Sequence, residues 1–366
     1  MRQPDSRHLT LLQYIFLIHG TQVAVGVLSL PRQLAEGAGT DGWIALFFGW
    51  MASVTASLLI INTMKSYPND HLGDLLGRFF GRWARWLGIV LSGSYFVVFA
   101  FIMLTKTVLY IKSWMLQETP QYTIMLLLLL PAIFIVPGGF KILGRYTELA
   151  YLMKIMIVLI LVFPLIEGKF IYLLPVLKEG WGPVLNTVTS TVLSYLGFEV
   201  AFFCYPALQQ KQHAVRGIIV ANTLTLLLYL FITMVCFTHF SPDEIVQFND
   251  PPLTVLKTIE LRYVERFDVI ALALYLFVLS TSWMPFMYIG VYCSGLILGK
   301  QKPVQYFSIA IACFVLVTLW LNPSFHDSDR QIKAISTGGI CFAYLLPLFL
   351  WGYGWVYHRF KRRRAV

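Results

Sequence analysis

A chain of 366 residues that is 58% hydrophobic and only 13% charged, with a mean hydropathy of +0.70, carries more apolar surface than one soluble core can bury, which excludes an ordinary soluble domain. Its net charge of +10 does not mark a nucleic-acid binder, because no aromatic-interleaved basic stretch sits in a soluble segment. The charge reflects membrane topology and contact with anionic membrane lipid, above all at the tail His358 to Arg364.

Crossing about 30 Å of hydrocarbon takes roughly 20 residues, and ten such runs recur, near residues 9–35, 42–65, 85–116, 121–138, 145–166, 184–208, 215–239, 267–298, 304–322 and 335–357. The chain reads as an all-α polytopic membrane protein. The first run follows a polar leader with Arg2 and Arg7, but it is too long for a signal core and leads straight into the second, so it is read as retained. It is interrupted at QVAVGVLSLPR, Gln22 to Arg32. The third run carries Lys106 near its outer end, where snorkelling accounts for it. The fifth carries Lys154, which has two readings, a snorkelling side chain or an ammonium in a cation position beside the first break. The sixth is interrupted at SYLGFEVAFFCYP, Ser194 to Pro206.

Between the seventh and eighth runs lies the longest polar connection, Ser241 to Arg266. Leu253, Leu256, Ile259 and Tyr263 recur there at helical spacing. They predict a short amphipathic helix within about 241–266 that caps the outer face, with a lid or docking surface as the sharper alternative. Seventeen of the 28 Lys and Arg fall on the side of the amino terminus, nine on the other and two within spans, which places both termini in the cytoplasm. The five cysteines are scattered with no paired spacing, so neither a disulfide framework nor a metal site is signalled. No nucleophile elbow, phosphate loop or paired carboxylates appear, so the sequence implies no enzyme and no cofactor.

A membrane helix that interrupts its own backbone hydrogen bonds must re-satisfy them, and such breaks persist where they line a cavity or touch a ligand. Gly26 and Gly197 stand 171 residues apart, close to half the chain, each with a proline nearby, Pro31 and Pro206. That offset predicts one transmembrane domain, 1–366, built from two five-helix halves of opposite topology, about 9–166 and 184–357, with the first and sixth helices broken. Either glycine alone would serve close helix packing. The pair points to a substrate site in mid-membrane.

Unwinding over Val23 to Gly26 turns N–H groups near Val27 to Ser29 toward an anion such as an amino-acid carboxylate. Unwinding near Tyr195 to Phe198 leaves the carbonyls of Leu193 and Ser194 for an ammonium. Tyr95, Phe99, Phe198 and Phe202 lie at a depth to select among side chains. His19 and Gln22 are pocket lining or interhelical hydrogen-bond partners. Glu199, just after Gly197, holds a proton, binds an ammonium or organises the unwound backbone, since a carboxylate in a span is costly and usually functional.

Three stretches, VGVLSLPRQLAEGAGTDGWIALFFGW (Val25 to Trp50), LLPVLKEGWGPVLNTV…SYLGFEVAFFCYPAL (Leu173 to Leu208) and PPLTVLKTIELRYVERFDVIALAL (Pro251 to Leu274), resemble the B subunit of spore germinant receptors, the GerAB type. The glycine and proline breaks belong to the wider amino acid, polyamine and organocation permeases; LPRxLAxxAGxDGW and the ERFD entry to the eighth span narrow the resemblance to germination. It implies a LeuT-like core of ten helices in the spore inner membrane, acting with an A subunit and a lipoprotein C subunit to recognise a small-molecule nutrient. The permeases' grip on the substrate backbone carries over to Val25, Gly26 and Val27 and to Tyr195, Gly197 and Phe198. Glu199 matches an acidic residue of several of those permeases, and Lys154 resembles the fifth-helix lysine that replaces sodium in proton-coupled members. Many such transporters have twelve helices. Ten suits a nutrient-sensing subunit, with a proton-coupled amino-acid permease as the alternative.

Overall fold

The computed structural model describes residues 8–23, 26–259, 266–299 and 303–363. Helix α1 (Leu11–Gln22) begins at a reciprocal cap, in which Gln13 N–H donates to Thr10 Oγ1 and Thr10 N–H to Gln13 Oε1, both at 3.2 Å. It is followed by α2 (Gly26–Ala38), α3 (Gly42–Lys65), α4 (Leu72–Phe80), α5 (Arg82–Trp114), α6 (Gln121–Ile135), α7 (Gly139–Ile166) and α8 (Trp181–Ser194). The second half holds α9 (Ala201–Cys204), α10 (Ala214–His239), α11 (Pro242–Ile245), α12 (Pro251–Lys257), α13 (Phe267–Leu298), α14 (Pro303–Leu321), α15 (Phe325–Ile340) and α16 (Leu346–Arg363). Among the described residues the extended pairing is a single bridge, Leu9 to Leu208.

Apolar residues on all sides let these helices bury one flank in protein and turn the other to lipid. Thus α13 lies along α5, α7 and α1 at the centre, while Phe134 and Trp320, 81% and 93% exposed, point outward. Small residues set the closest crossings. A Cβ on Gly49 would fall 2.6 Å from Thr191 Oγ1, so α3 and α8 approach more tightly than any larger residue allows. Glycines at positive φ turn the chain between helices, Gly81 (+88°) into α5 and Gly139 (+74°) into α7.

By length and apolarity alone, seven described helical stretches suffice to cross a membrane, or eight if the bent pair Trp181–Ser194 and Phe198–Ala207 is one span, against the ten expected. The smaller number groups α2 with α3 and α6 with α7, stretches of 40 and 46 residues that contain the positive-φ glycines Gly39 and Gly139, and leaves out α1, which with 12 residues is too short by itself. In the polar connection, α12 covers seven residues with Leu253, Val255 and Leu256 buried, so its described part packs against the helices; Tyr263 lies outside the described residues.

Candidate site at two facing helix breaks

Helix α1 ends at Gln22 and α2 starts at Gly26, while α8 ends at Ser194 and resumes through a 3-10 turn, Phe198–Val200, into α9, with a 41° bend. The two breaks touch. Thr21 Oγ1 donates to the Gly197 carbonyl at 3.0 Å. Gly197 has φ +124°, and a Cβ there would sit 2.6 Å from the Thr21 carbonyl carbon, so neither the backbone nor the space admits a side chain. At Gly26 the reverse holds: among the described residues a Cβ would meet nothing within 4 Å. A gap therefore opens beside the start of α2, where the first N–H groups of a helix lack intrahelical partners.

Polar groups around the breaks are densely engaged. Gln22 Nε2 donates to Asn222 Oδ1 at 2.8 Å and to the Tyr195 carbonyl at 3.1 Å, while its Oε1 accepts from Thr225 Oγ1 at 2.9 Å. Thr225 also lies 2.9 Å from His19 Nδ1, and Ser53 donates to Asn222. The Tyr229 hydroxyl stands 2.8 Å from the Gln22 carbonyl and 2.8 Å from the Ser194 carbonyl, one from each break. Of the two carbonyls expected to await an ammonium, Ser194's is thus taken by a phenol and Leu193's accepts from Leu196 N–H at 3.3 Å. Glu199 is fully buried; it accepts from Gly197 N–H at 2.7 Å and from the Tyr95 hydroxyl at 2.9 Å. Of its three readings, the geometry fits the one in which it organises the unwound backbone.

Three of the aromatic candidates, Tyr95, Phe99 and Phe202, are joined through ring contacts, and Phe198 makes a separate one. Tyr95 stacks on Phe342 at 4.8 Å and tilts against Phe99 at 5.6 Å; Phe99 stacks on Phe286 at 4.8 Å. Phe198 meets Tyr344 edge-on at 5.2 Å, and Phe202 meets Phe342 at 6.5 Å. Val27 is buried at the start of α2, whereas Val25 lies outside the described residues. Lys154 is buried on α7, its Nζ 5.9 Å from the Tyr151 ring that His19 meets edge-on. Among the described residues no carboxylate pairs with it, and no described contact joins it to Gly26 or Gly197.

Sequence reasoning passed over Asn222, Thr225 and Tyr229. They form a polar stripe at helical spacing on α10, a signal that a search for polar periodicity within spans would find. Lys106 departs from expectation. Instead of snorkelling, its side chain is 4% exposed, its Nζ is 2.5 Å from Asp329 Oδ1 and 4.7 Å from the Phe325 ring centre. On the same face Tyr110 donates to Asp250 at 2.7 Å and Arg32 donates to Asn249, so α2, α5, α15 and the segment before α12 are tied together above the breaks. The opposite face holds a cavity of about 350 Å³ lined by His71, Phe140, Phe203, Tyr288, Tyr292 and Tyr306. Burial pushes the His71 imidazole down, against the pull of Asp74, which also pairs with Arg85 at 2.9 Å. No cluster of metal-ligating side chains occurs among the described residues.

Residues 8–326 match the family described as spore germination protein. Spore germination protein A2 of Bacillus subtilis (strain 168) is 26% identical over 353 residues, covering 93% of this chain and 94% of its own length. Spore germination protein GerQB of Bacillus cereus is 23% identical, covering 92% of each chain. Among solved structures, MhsT in complex with L-phenylalanine superposes with a TM-score of 0.67 at 10% identity, covering 93% of this chain and 87% of MhsT. A Na+-coupled sialic acid symporter in a substrate-bound outward-open state superposes with a TM-score of 0.66 at 13% identity, covering 94% and 79%. Those likenesses establish a LeuT-type transporter fold, in which helices broken in mid-membrane belong. With the family match running over most of its length, this multi-pass membrane chain belongs to the spore germination proteins.

Proposed function

We propose that the chain is the nutrient-recognising subunit of a spore germinant receptor, and that a small nutrient of the amino-acid class binds between the two helix breaks. The observation that carries this reading is their direct meeting at Thr21 and Gly197, beside an open gap at Gly26. The start of α2 offers N–H groups to a carboxylate, and the rings of Tyr95, Phe99, Phe198 and Phe202 read the side chain. Val25 and Tyr195 stand with these residues as backbone contacts. MhsT was solved with L-phenylalanine, which supports the amino-acid class. The receptor setting is the spore inner membrane with both termini cytoplasmic, an A subunit and a C subunit as partners, no cofactor and no catalysis. A ligand drives the complex only through unequal affinity for its two states.

The two glycines give a test that separates binding from folding. Gly26→Ala adds a methyl to open space and leaves the chain folded, yet intrudes on the gap; the nutrient concentration for half-maximal germination rises several-fold while receptor abundance stays normal. Gly197→Ala forces a clash at positive φ that costs on the order of 3 kcal/mol or more and removes the chain from the membrane. An unchanged nutrient response in normally abundant Gly26→Ala and Gly26→Leu receptors would reject the site.

A proton-coupled permease is the second reading, favoured by buried Lys154 near α1 together with Glu199. In it these two residues are the coupling groups. Substrate accumulation by the purified chain in liposomes under a pH gradient would support it.

A further inference from the structure

Away from the breaks, the last turn of α3, helix α4 and the end of α16 leave a notch of about 220 Å³. Asn62, Ser66 and Tyr67 form its polar side; Phe79, Trp351 and Trp355 form its apolar side. Ring contacts hold the walls together, with Phe79 5.3 Å from Tyr353 and Phe80 4.6 Å from Tyr353. The notch lies where apolar helices end, since α3 stops at Lys65, α5 begins at Arg82 and α16 runs on into a basic tail. That is the depth of lipid headgroups. Trp83 and Trp86, 84% and 51% exposed, join Trp351 and Trp355 in a belt of indoles, the side chain that settles at a membrane boundary.

Charge adds a second, independent observation. Residues 65–85 carry Lys65, Arg78, Arg82 and Arg85 against Asp70 and Asp74. Arg78 pairs with Asp70 and lies over the Tyr67 ring at 5.3 Å, and Arg85 pairs with Asp74. Lys65 and Arg82 have no carboxylate partner among the described residues. Lys65 immediately precedes the lining residue Ser66, and Arg82 follows the lining residue Phe79 by three positions, so both carry net positive charge on the segments that form the notch.

We propose that this notch binds one anionic phospholipid of the adjoining leaflet. Lys65 and Arg82 attract the phosphate, and Asn62 and Ser66 supply neutral donors to the headgroup. With a water's share of liquid volume near 30 Å³, the notch takes the headgroup alone, and the acyl chains run along exposed Trp351 and Trp355 into the bilayer. A water-soluble anion would gain the two cations but leave the indoles uncovered. The site is separate from the nutrient site and stands without it.

The test uses the purified full chain in micelles titrated with phosphatidylglycerol or phosphatidylcholine, with retained lipid read by native mass spectrometry. Phosphatidylglycerol is retained on the order of thirtyfold better, the worth of two basic groups at an anionic surface. Lys65→Gln and Arg82→Gln each reduce that preference on the order of fivefold, whereas Lys178→Gln on the opposite face leaves it unchanged. Gly354 lines the notch, and a Cβ there would rest at an ordinary 3.7 Å from Phe79, so Gly354→Leu folds while filling the space. It abolishes retention of the bound lipid; Asn62→Leu serves the same purpose should Gly354→Leu misfold. Equal retention of the two lipids overturns the proposal. So does full preference in the notch-filling variants, which would reveal a diffuse attraction without a site.

Discussion

Glu199 shows how a residue can be conspicuous in sequence and still hide its task. A carboxylate inside an apolar span stands out, but only coordinates show that it holds the Gly197 N–H and receives the Tyr95 hydroxyl. It fastens the unwound turn to α5. Tyr95→Phe deletes the hydrogen bond to buried Glu199 and lowers stability by about 1–3 kcal/mol, seen as an earlier thermal unfolding of the purified chain, while Tyr95→Leu adds the loss of ring packing against Phe342. Tyr229 is a second case. Its place in the stripe on α10 is visible in sequence, but its role is not, because that depends on carbonyls contributed by residues 207 and 35 positions away. Lys106 was misread for the same reason: its partner Asp329 lies 223 positions along the chain.

At the scale of elements, the two helix breaks were legible because glycine and proline act on the backbone locally. Crossing partners and the number of separate spans were less so, since small-residue contacts such as Gly49 with Thr191 pair distant helices. The link from α5 to α15 makes a prediction of its own. Asp329 is 60% exposed and regains water when Lys106→Met removes its partner, so the stability cost is only about 1 kcal/mol. The same change loosens one tie above the site. The half-maximal nutrient concentration therefore falls, and restoring a pair with Lys106→Asp and Asp329→Lys moves it back. A dose response that is unmoved in Lys106→Met assigns the tie to packing alone.

The whole molecule is cross-tied by side chains on the α12 face, which still holds a cavity of about 450 Å³ beside Thr258 and Ile259, and is hollowed around His71 on the other. Composition alone announced a polytopic membrane protein, whereas these ties and hollows depend on side chains from several elements at each end. A receptor subunit of this form, purified alone and placed in liposomes, binds nutrient without building a gradient of it; sustained uptake under an imposed pH difference would move the assignment to the permease. The feature with the widest reach is the single phenol between the two breaks. Tyr229 has one hydrogen for two carbonyls, so the two broken helices compete for it or share it. A ligand in the proposed site that donates to one carbonyl would leave the phenol to the other, and a single hydrogen would then become a choice between two helix positions.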